Sequence, residues 1–309
     1  MPLPRALDPI PGARHERPHG PGTGARTGPA RAPGERVGWG TTGGGPSYTS
    51  AMTRTPQGDR TALVTGASSG LGRALAVELA GRGYDLFLTA RRVDRLASLR
   101  EELVRRHPGR RAVISRLDVT DPSEVTAAVD EAAGAFGRLG LVVANAGIGG
   151  STRVGSGGLD QDRRIVETDL LGAMATVDAA VACFRRQGGP GQVVGIASVA
   201  GFRGLPGAAA YSASKAALLA YLQAVRAETF KEPITVTTVS PGYVVTELDP
   251  DLPRRPFVIE ADRAGRLMAD AIEAGTPHAF VPRWPWQAVA PLLRVLPTRL
   301  LVLGQALMA

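Results

Sequence analysis

The sequence predicts an α/β protein built on a doubly wound parallel sheet of seven strands, with helices on both faces. Three observations predict it. Short apolar or β-branched runs alternate with longer helical stretches from residue 60 to about 283, the pattern of strands joined by crossover helices. The first run leads at once into a glycine-rich turn and a helix. A later run ends in a serine, at the carboxyl end of a strand, where parallel sheets build their sites.

The bulk properties bound the rest. The chain has 309 residues, enough for one large or two small domains. Residues 1–59 are dominated by Gly, Pro and Arg, and such a stretch buries too little surface to offset its conformational entropy. A disordered arm is expected there. Its prolines and glycines argue against the amphipathic helix of an organelle presequence. Met52 opens a short polar lead into the first strand and is an alternative start of the protein. The net charge of +8 is mostly arginine, scattered without interleaved aromatic residues, which argues against a nucleic-acid partner. A single cysteine, Cys183, allows no intrachain disulfide and points to a reducing, cytoplasmic setting. It sits in an apolar helical stretch and reads as a core residue. No apolar run is long and clean enough to span a bilayer, and the N-terminus lacks the apolar core of a secretory signal. No metal-ligand set is assigned.

Thr61–Thr65 reads as the first strand. The turn Gly66-Ala67-Ser68-Ser69-Gly70-Leu71-Gly72 follows, then a helix over 73–82. Glycines let backbone approach a pyrophosphate, and amides at a helix N-terminus bind its charge. Strand, glycine turn and helix together are what a dinucleotide site requires. The second strand, over 85–89, ends at Ala90-Arg91-Arg92. A carboxylate at this point would take a ribose 2′-hydroxyl, whereas arginine accommodates a 2′-phosphate. Ala90 followed by Arg91 and Arg92 therefore favours NADP(H), with NAD(H) possible. The bland alternative is that both arginines only open a solvated helix running to about His107.

The third strand covers 111–115, and Asp121 is suited to cap the next helix, Pro122–Phe136. The fourth strand, over 139–144, leads into Asn145-Ala146-Gly147. One long helix is expected over 159–186, then the fifth strand over 193–197, ending at Ser198. A loop, Gly201 to Leu205, follows it, and Pro206 and Gly207 open the next helix. The sixth strand covers 234–240 and runs into Pro241-Gly242-Tyr243-Val244-Val245-Thr246. Residues 248–259 are rich in proline and charge, 261–274 are helical, and 279–281 form the last strand. The segment over 284–309 is apolar but broken by Pro291, Arg294, Pro297 and Arg299. It reads either as a membrane-surface anchor or as a lid or oligomer contact packed on the fold, and the prolines favour the second.

Tyr211 and Lys215 stand four apart in a stretch of Ala, Ser and Leu. Residues at that spacing share a helix face, so phenol and ammonium reach one space. A cation favours the phenolate, which makes Tyr211 a candidate general acid or base. Such a pair is usually solvated surface. Here the window is otherwise small and apolar, and Lys215 is one of only two lysines in the chain. Ser198 lies thirteen residues earlier.

Ser198, Tyr211 and Lys215, the Thr65-Gly66-x-x-x-Gly70-x-Gly72 turn and Asn145-Ala146-Gly147 resemble the motifs of the short-chain dehydrogenase/reductase family, in the family's order. The resemblance covers about residues 60–283 and implies one Rossmann-type catalytic domain. It implies hydride transfer between a nicotinamide and a carbonyl/alcohol pair, in a homodimer or homotetramer. Tyr211 would exchange the proton, Lys215 would support it and bind the nicotinamide ribose, and Ser198 would hold the developing alkoxide. Gly66, Ser68, Ser69, Gly70, Leu71 and Gly72 would cradle the pyrophosphate. Asp118 and Val119 would lie beside the adenine, and Asn145, Ala146 and Gly147 would line the cofactor. Pro241 and Gly242 would form a turn from which Val244 and Thr246 hold the carboxamide, and 248–259 would be a mobile substrate loop. Ile148, Phe202, Leu205 and Tyr243 would line an apolar substrate pocket. Asp169 departs from the pattern, because it stands in Asp169-Leu170-Leu171-Gly172 where the family has asparagine supporting a proton path to the lysine. An ionised Asp169 would oppose the phenolate, a protonated one would mimic the amide, and one paired with an arginine would leave the path to water. Two rival functions remain open, a non-catalytic dinucleotide sensor on the same scaffold and a membrane-surface reductase of lipid-like substrates. Intact Ser198, Tyr211 and Lys215 argue against the sensor.

Overall fold

Strands and helices alternate along the chain as β1 (Thr61–Thr65), α1 (Gly70–Gly81), β2 (Asp85–Ala90), α2 (Val93–Arg106), β3 (Ala112–Arg116), α3 (Pro122–Phe136) and β4 (Leu141–Ala144). After α4 (Leu159–Val166) and α5 (Gly172–Gln187) come β5 (Gly191–Ile196), α6 (Ala209–Glu228), β6 (Ile234–Pro241), β7 (Val244–Val245) and β8 (Ile259–Glu260). The chain continues with α7 (Ala261–Glu273), β9 (His278–Val281) and α8 (Arg283–Val295). This computed structural model describes residues 60–247 and 257–300. The expected arm over 1–59, the alternative start at Met52, most of the 248–259 loop and the end of the apolar C-terminal segment lie outside the described residues.

The main sheet has the order β3-β2-β1-β4-β5-β6-β9, and every pairing in it is parallel. The order reverses at β1, between β2 and β4, so a crevice opens at the carboxyl ends of β1 and β4. β1, β4 and β5 are buried throughout, which explains their continuous apolar runs rather than alternation. On one face of the sheet the core joins Leu75, Leu79, Leu96, Leu99 and Met268. On the other it joins Val129, Val177, Phe184, Leu218 and Leu222. Gly195 in β5 sits under Leu222 of α6, with no room between them for a side chain. Asp121 caps α3 as expected, its Oδ1 accepting from the N–H of Ser123 (2.8 Å) and of Glu124 (3.3 Å). Burial pushes the Cys183 thiol up, as expected for a core residue.

Three features differ from the sequence expectation. The single helix expected over 159–186 is interrupted by a π-helical turn, Glu167–Leu171, between α4 and α5. Such one-turn insertions leave no mark in hydrophobic periodicity. After Gly242, β7 and β8 form a separate parallel pair, tied by the Ile259 N–H to Tyr243 O at 3.1 Å. Two-residue strands are too short to show alternation. Lastly, α8 is kinked at Trp284, whose backbone is non-helical, then runs through Pro291 and docks through Trp286, 4% exposed, and Ala290. The C-terminal segment thus packs on the fold as far as it is described, while Trp284, Leu292, Val295 and Leu300 stay exposed.

Candidate active site

The glycine turn after β1 has the geometry its residues suggested. Gly66 and Gly70 have φ of +68° and +54°, the left-handed region that L side chains avoid. Asn145 fastens the turn to β4, its Nδ2 donating to Thr65 O (2.8 Å) and Gly66 O (3.3 Å). Thr65 Oγ1 accepts from the N–H groups of Asn145 (3.0 Å) and Ala146 (3.1 Å). Ser69 opens α1 without a side-chain cap, and the first turn carries no acidic residue. Uncapped amides and positive helix potential fit an anionic pyrophosphate. Asp118 closes a local turn, with Oδ1 accepting from Thr120 N (3.2 Å) and Oγ1 (2.9 Å). Val119 is buried with its side chain against Gly172 of α5.

At the end of β2 the two arginines differ. Arg91 is exposed. Arg92 Nη2 reaches Ser69 Oγ at 2.6 Å and Ser68 Oγ at 3.2 Å, so a guanidinium stands at the mouth of the glycine turn. Its Nη1 lies 3.4 Å from Glu247 Oε2. Arg95 Nη1 lies 2.7 and 2.6 Å from the two Glu247 oxygens. Hydrogen bonding to Arg95 holds the Glu247 carboxyl below the usual carboxylate range.

Across the crevice, Lys215 is 4% exposed. Its Nζ donates to Ile196 O (3.1 Å) at the end of β5 and lies 5.6 Å from the centre of the Tyr211 ring. Asp169 Oδ2 is 3.2 Å from that Nζ. Asp169 is 1% exposed, its Oδ1 accepts from the Ile148 N–H at 2.8 Å, and Oδ2 meets Lys215 as an ion contact outside hydrogen-bond angle. Burial disfavours charge on Lys215, but the Asp169 carboxylate and then Tyr211 outweigh it, so its pKa is raised above the ordinary 10.5. The arginine partner considered for Asp169 is not the one found, since Ile148 and Lys215 take up both oxygens. Asp169 lies in the π turn, and that insertion sets where its side chain enters the core. Gly147 lies close against the carboxylate, since an ideal Cβ there would be 3.1 Å from Asp169 Oδ2. Ser198, 8% exposed, caps a short 3-10 turn, its Oγ accepting from Ala200 N at 3.1 Å. The carboxyl end of β5, α6 and the π turn thus gather Ser198, Tyr211, Lys215 and Asp169.

The family model for short chain dehydrogenase matches residues 60–255. The chain belongs to the short-chain dehydrogenase family. An uncharacterised oxidoreductase of Mycobacterium tuberculosis is 39% identical over 239 residues, which is 77% of this chain and 94% of the relative. The alcohol dehydrogenase of Thermococcus sibiricus, solved with 5-hydroxy-NADP, is 28% identical with a TM-score of 0.62, over 74% of this chain and 92% of that one. A short-chain dehydrogenase/reductase of Burkholderia phymatum, solved with NAD, shares the fold with a TM-score of 0.68 at 23% identity, over 76% of this chain and 92% of that one. This short-chain dehydrogenase is accordingly an NAD(P)-dependent oxidoreductase acting on CH–OH/C=O groups.

Two of the residues expected in the substrate pocket line a groove beside α6. Phe202 stacks on His278 (5.9 Å), meets Phe280 at a tilt (5.4 Å) and lies under the Arg294 guanidinium (4.9 Å). With Leu205 it lines a groove of about 640 Å³ beside Ser212, Ala213, Ala216 and Arg294. At 100° per residue Ser212 lies about 60° round the helix from Lys215, while Ala213 points the opposite way, so the groove flanks the face that carries Tyr211 and Lys215. The 201–205 loop of this dehydrogenase therefore runs along the flank of α6, with the Leu205 N–H donating to Ser212 Oγ at 3.2 Å. Tyr243 does flank the Gly242 turn, edge-on to Trp286 at 5.6 Å. Sequence reasoning also missed Trp286, Arg95, Glu247 and His278. Glu247 had one signal, a carboxylate directly after Thr246 in a chain with arginines at 92 and 95. His278 bonds Ser240 Oγ through Nε2 (2.9 Å). Burial, then Arg226 and Arg294, push it below its ordinary value.

Proposed function

We propose that this dehydrogenase prefers NADP(H) and interconverts a hydrophobic carbonyl compound and its alcohol, with Tyr211 exchanging the proton. The observation that carries this is the buried Lys215 ammonium, held by Asp169 and Ile196 O beside the Tyr211 ring. A nicotinamide coenzyme, when bound, supplies or accepts the hydride. Tyr211 donates its proton to the carbonyl oxygen in reduction and removes it from the alcohol in oxidation. Lys215 stabilises the phenolate left by that transfer and binds the nicotinamide ribose. Ser198, oriented by the Ala200 N–H, hydrogen-bonds the oxygen on which negative charge develops. Arg92 at Ser69, and the absence of a carboxylate at Ala90, support a 2′-phosphate site. The 5-hydroxy-NADP on the Thermococcus sibiricus enzyme agrees with that preference, and the NAD on the Burkholderia phymatum protein opposes it.

Val244 and Thr246 hold the carboxamide in this reading, and Asp118 and Val119 flank the adenine. A homo-oligomer in a cytoplasmic setting belongs to the same proposal, and light scattering on the purified protein measures the first. The central test follows NADPH and NADH oxidation with a panel of apolar ketones and aldehydes. Tyr211→Phe should abolish turnover, by about a hundredfold or more as for loss of a general acid, and keep coenzyme binding. Retained turnover in Tyr211→Phe would overturn the assignment.

A further inference from the structure

The backbone after β6 crosses the mouth of the glycine turn. A Cβ on Gly70 would lie 3.5 Å from Thr246 Cβ and Cγ2, so Thr246 rests on the turn itself. The next residue, Glu247, reaches past the turn to α2. There its carboxylate meets Arg95 through both oxygens and Arg92 through one. The Arg92 fork is thus divided, with Nη2 on Ser69 and Ser68 and Nη1 on Glu247. Guanidinium recognises carboxylate and phosphate by the same planar fork.

We propose that Glu247 sets coenzyme selectivity, its carboxylate holding the Arg92 and Arg95 guanidiniums that a 2′-phosphate would otherwise engage. This rests on the NADP(H) reading above. The pairs are exposed, with side-chain exposures of 46% for Arg92, 41% for Arg95 and 61% for Glu247, so exchange requires no unfolding. A dianionic phosphate brought to Arg92 either displaces Glu247 or suffers its repulsion, and both weaken binding. A coenzyme without the phosphate leaves these ion pairs undisturbed. Glu247 therefore moderates the preference that the arginines create. Displacing it would also disturb the backbone at Thr246, which couples the adenosine end of the site to the turn that holds the nicotinamide.

The test titrates wild type, Glu247→Gln and Arg92→Ala with NADPH and NADH by calorimetry, and with 2′-AMP and 5′-AMP as fragments with and without the 2′-phosphate. Exposed ion pairs are individually weak, so Glu247→Gln should bind NADPH and 2′-AMP about three- to tenfold more tightly. NADH and 5′-AMP should change less than about twofold, since they leave the pairs in place. Suppose Arg92→Ala weakens NADPH selectively while Glu247→Gln leaves it unchanged or weaker. The role of Glu247 is then overturned and the NADP(H) reading stands. If Arg92→Ala weakens NADPH and NADH equally, the phosphate reading fails and the inference falls with it.

Discussion

Asp169→Asn is the sharpest probe of the site, because the swap is isosteric and the surroundings are fully specified. Both Asp169 oxygens face donors, the Ile148 N–H at 2.8 Å and Lys215 Nζ at 3.2 Å. An amide has one acceptor atom and one donor group, so either orientation turns its NH2 toward a donor. The substitution also strips a buried ammonium of its countercharge. Removing one partner of a buried pair costs about 3–5 kcal/mol, and the lower end applies here because Lys215 can release its proton instead. About 3 kcal/mol in a domain of this size lowers Tm by about 6–12 °C. Thermal denaturation at pH 7 measures it. The pH dependence has a definite sign. A raised lysine pKa adds stability that is complete below the ordinary 10.5 and is lost as pH rises through the folded value. The gap between wild type and variant should hold at neutral pH and narrow above about 10.5. The double variant Asp169→Asn/Lys215→Met, which removes both charges, should recover part of the loss. A Tm within about 2 °C of wild type would refute the pairing, given the shift per kcal/mol expected at this size.

Other outcomes follow from the same geometry. Arg91→Ala should change NADPH affinity less than Arg92→Ala, since Arg92 is the one at Ser69; calorimetry compares them. Trp286→Ala removes the ring against the Gly242 turn and should cost about 3–5 kcal/mol of stability, read by denaturant melts. Gly195→Val drives a side chain into Leu222 and should cost about 1–3 kcal/mol or prevent folding, scored by soluble yield and Tm. Trp284, Leu292 and Val295 are exposed apolar residues, yet the helix is docked through Trp286. Flotation with anionic liposomes should therefore leave the protein in the unbound fraction, and co-flotation would favour the membrane-surface reading.

The sheet was legible because burial on both faces leaves a direct trace. Strands such as Leu141–Ala144 are short apolar runs with no alternative use, and their alternation with helices fixes parallel pairing. The glycine turn was legible for a different reason: positive φ at Gly66 and Gly70 restricts the residue type, so local backbone geometry is written into composition. The π turn, the β7–β8 pair and α8 depend on contacts between distant residues. Pro291 argued against a continued helix, but burial of Trp286 and Ala290 against the rest of the fold outweighs a local propensity. Phe202 and Leu205 follow Ser198 in sequence, and the 3-10 turn packed on the Lys215 and Ala216 backbone sets where their loop meets α6.

Asp169 shows most plainly where sequence reasoning stops. The spacing to Gly172 put the residue in the asparagine position, and the charge difference from asparagine raised the right question. It could not choose a partner, because Lys215 is 46 positions away and the contact exists only through the π turn. Once the pair is in view, Lys215 reads differently. A buried ammonium beside a phenol would tend to lose its own proton by desolvation, and then could not stabilise phenolate. The carboxylate counters that tendency and keeps the charge on Lys215. In the proposed mechanism, Asp169 thereby supports Tyr211 through a charged Lys215. The Ile148 N–H holds the carboxylate against Lys215, and Gly147 permits its close approach.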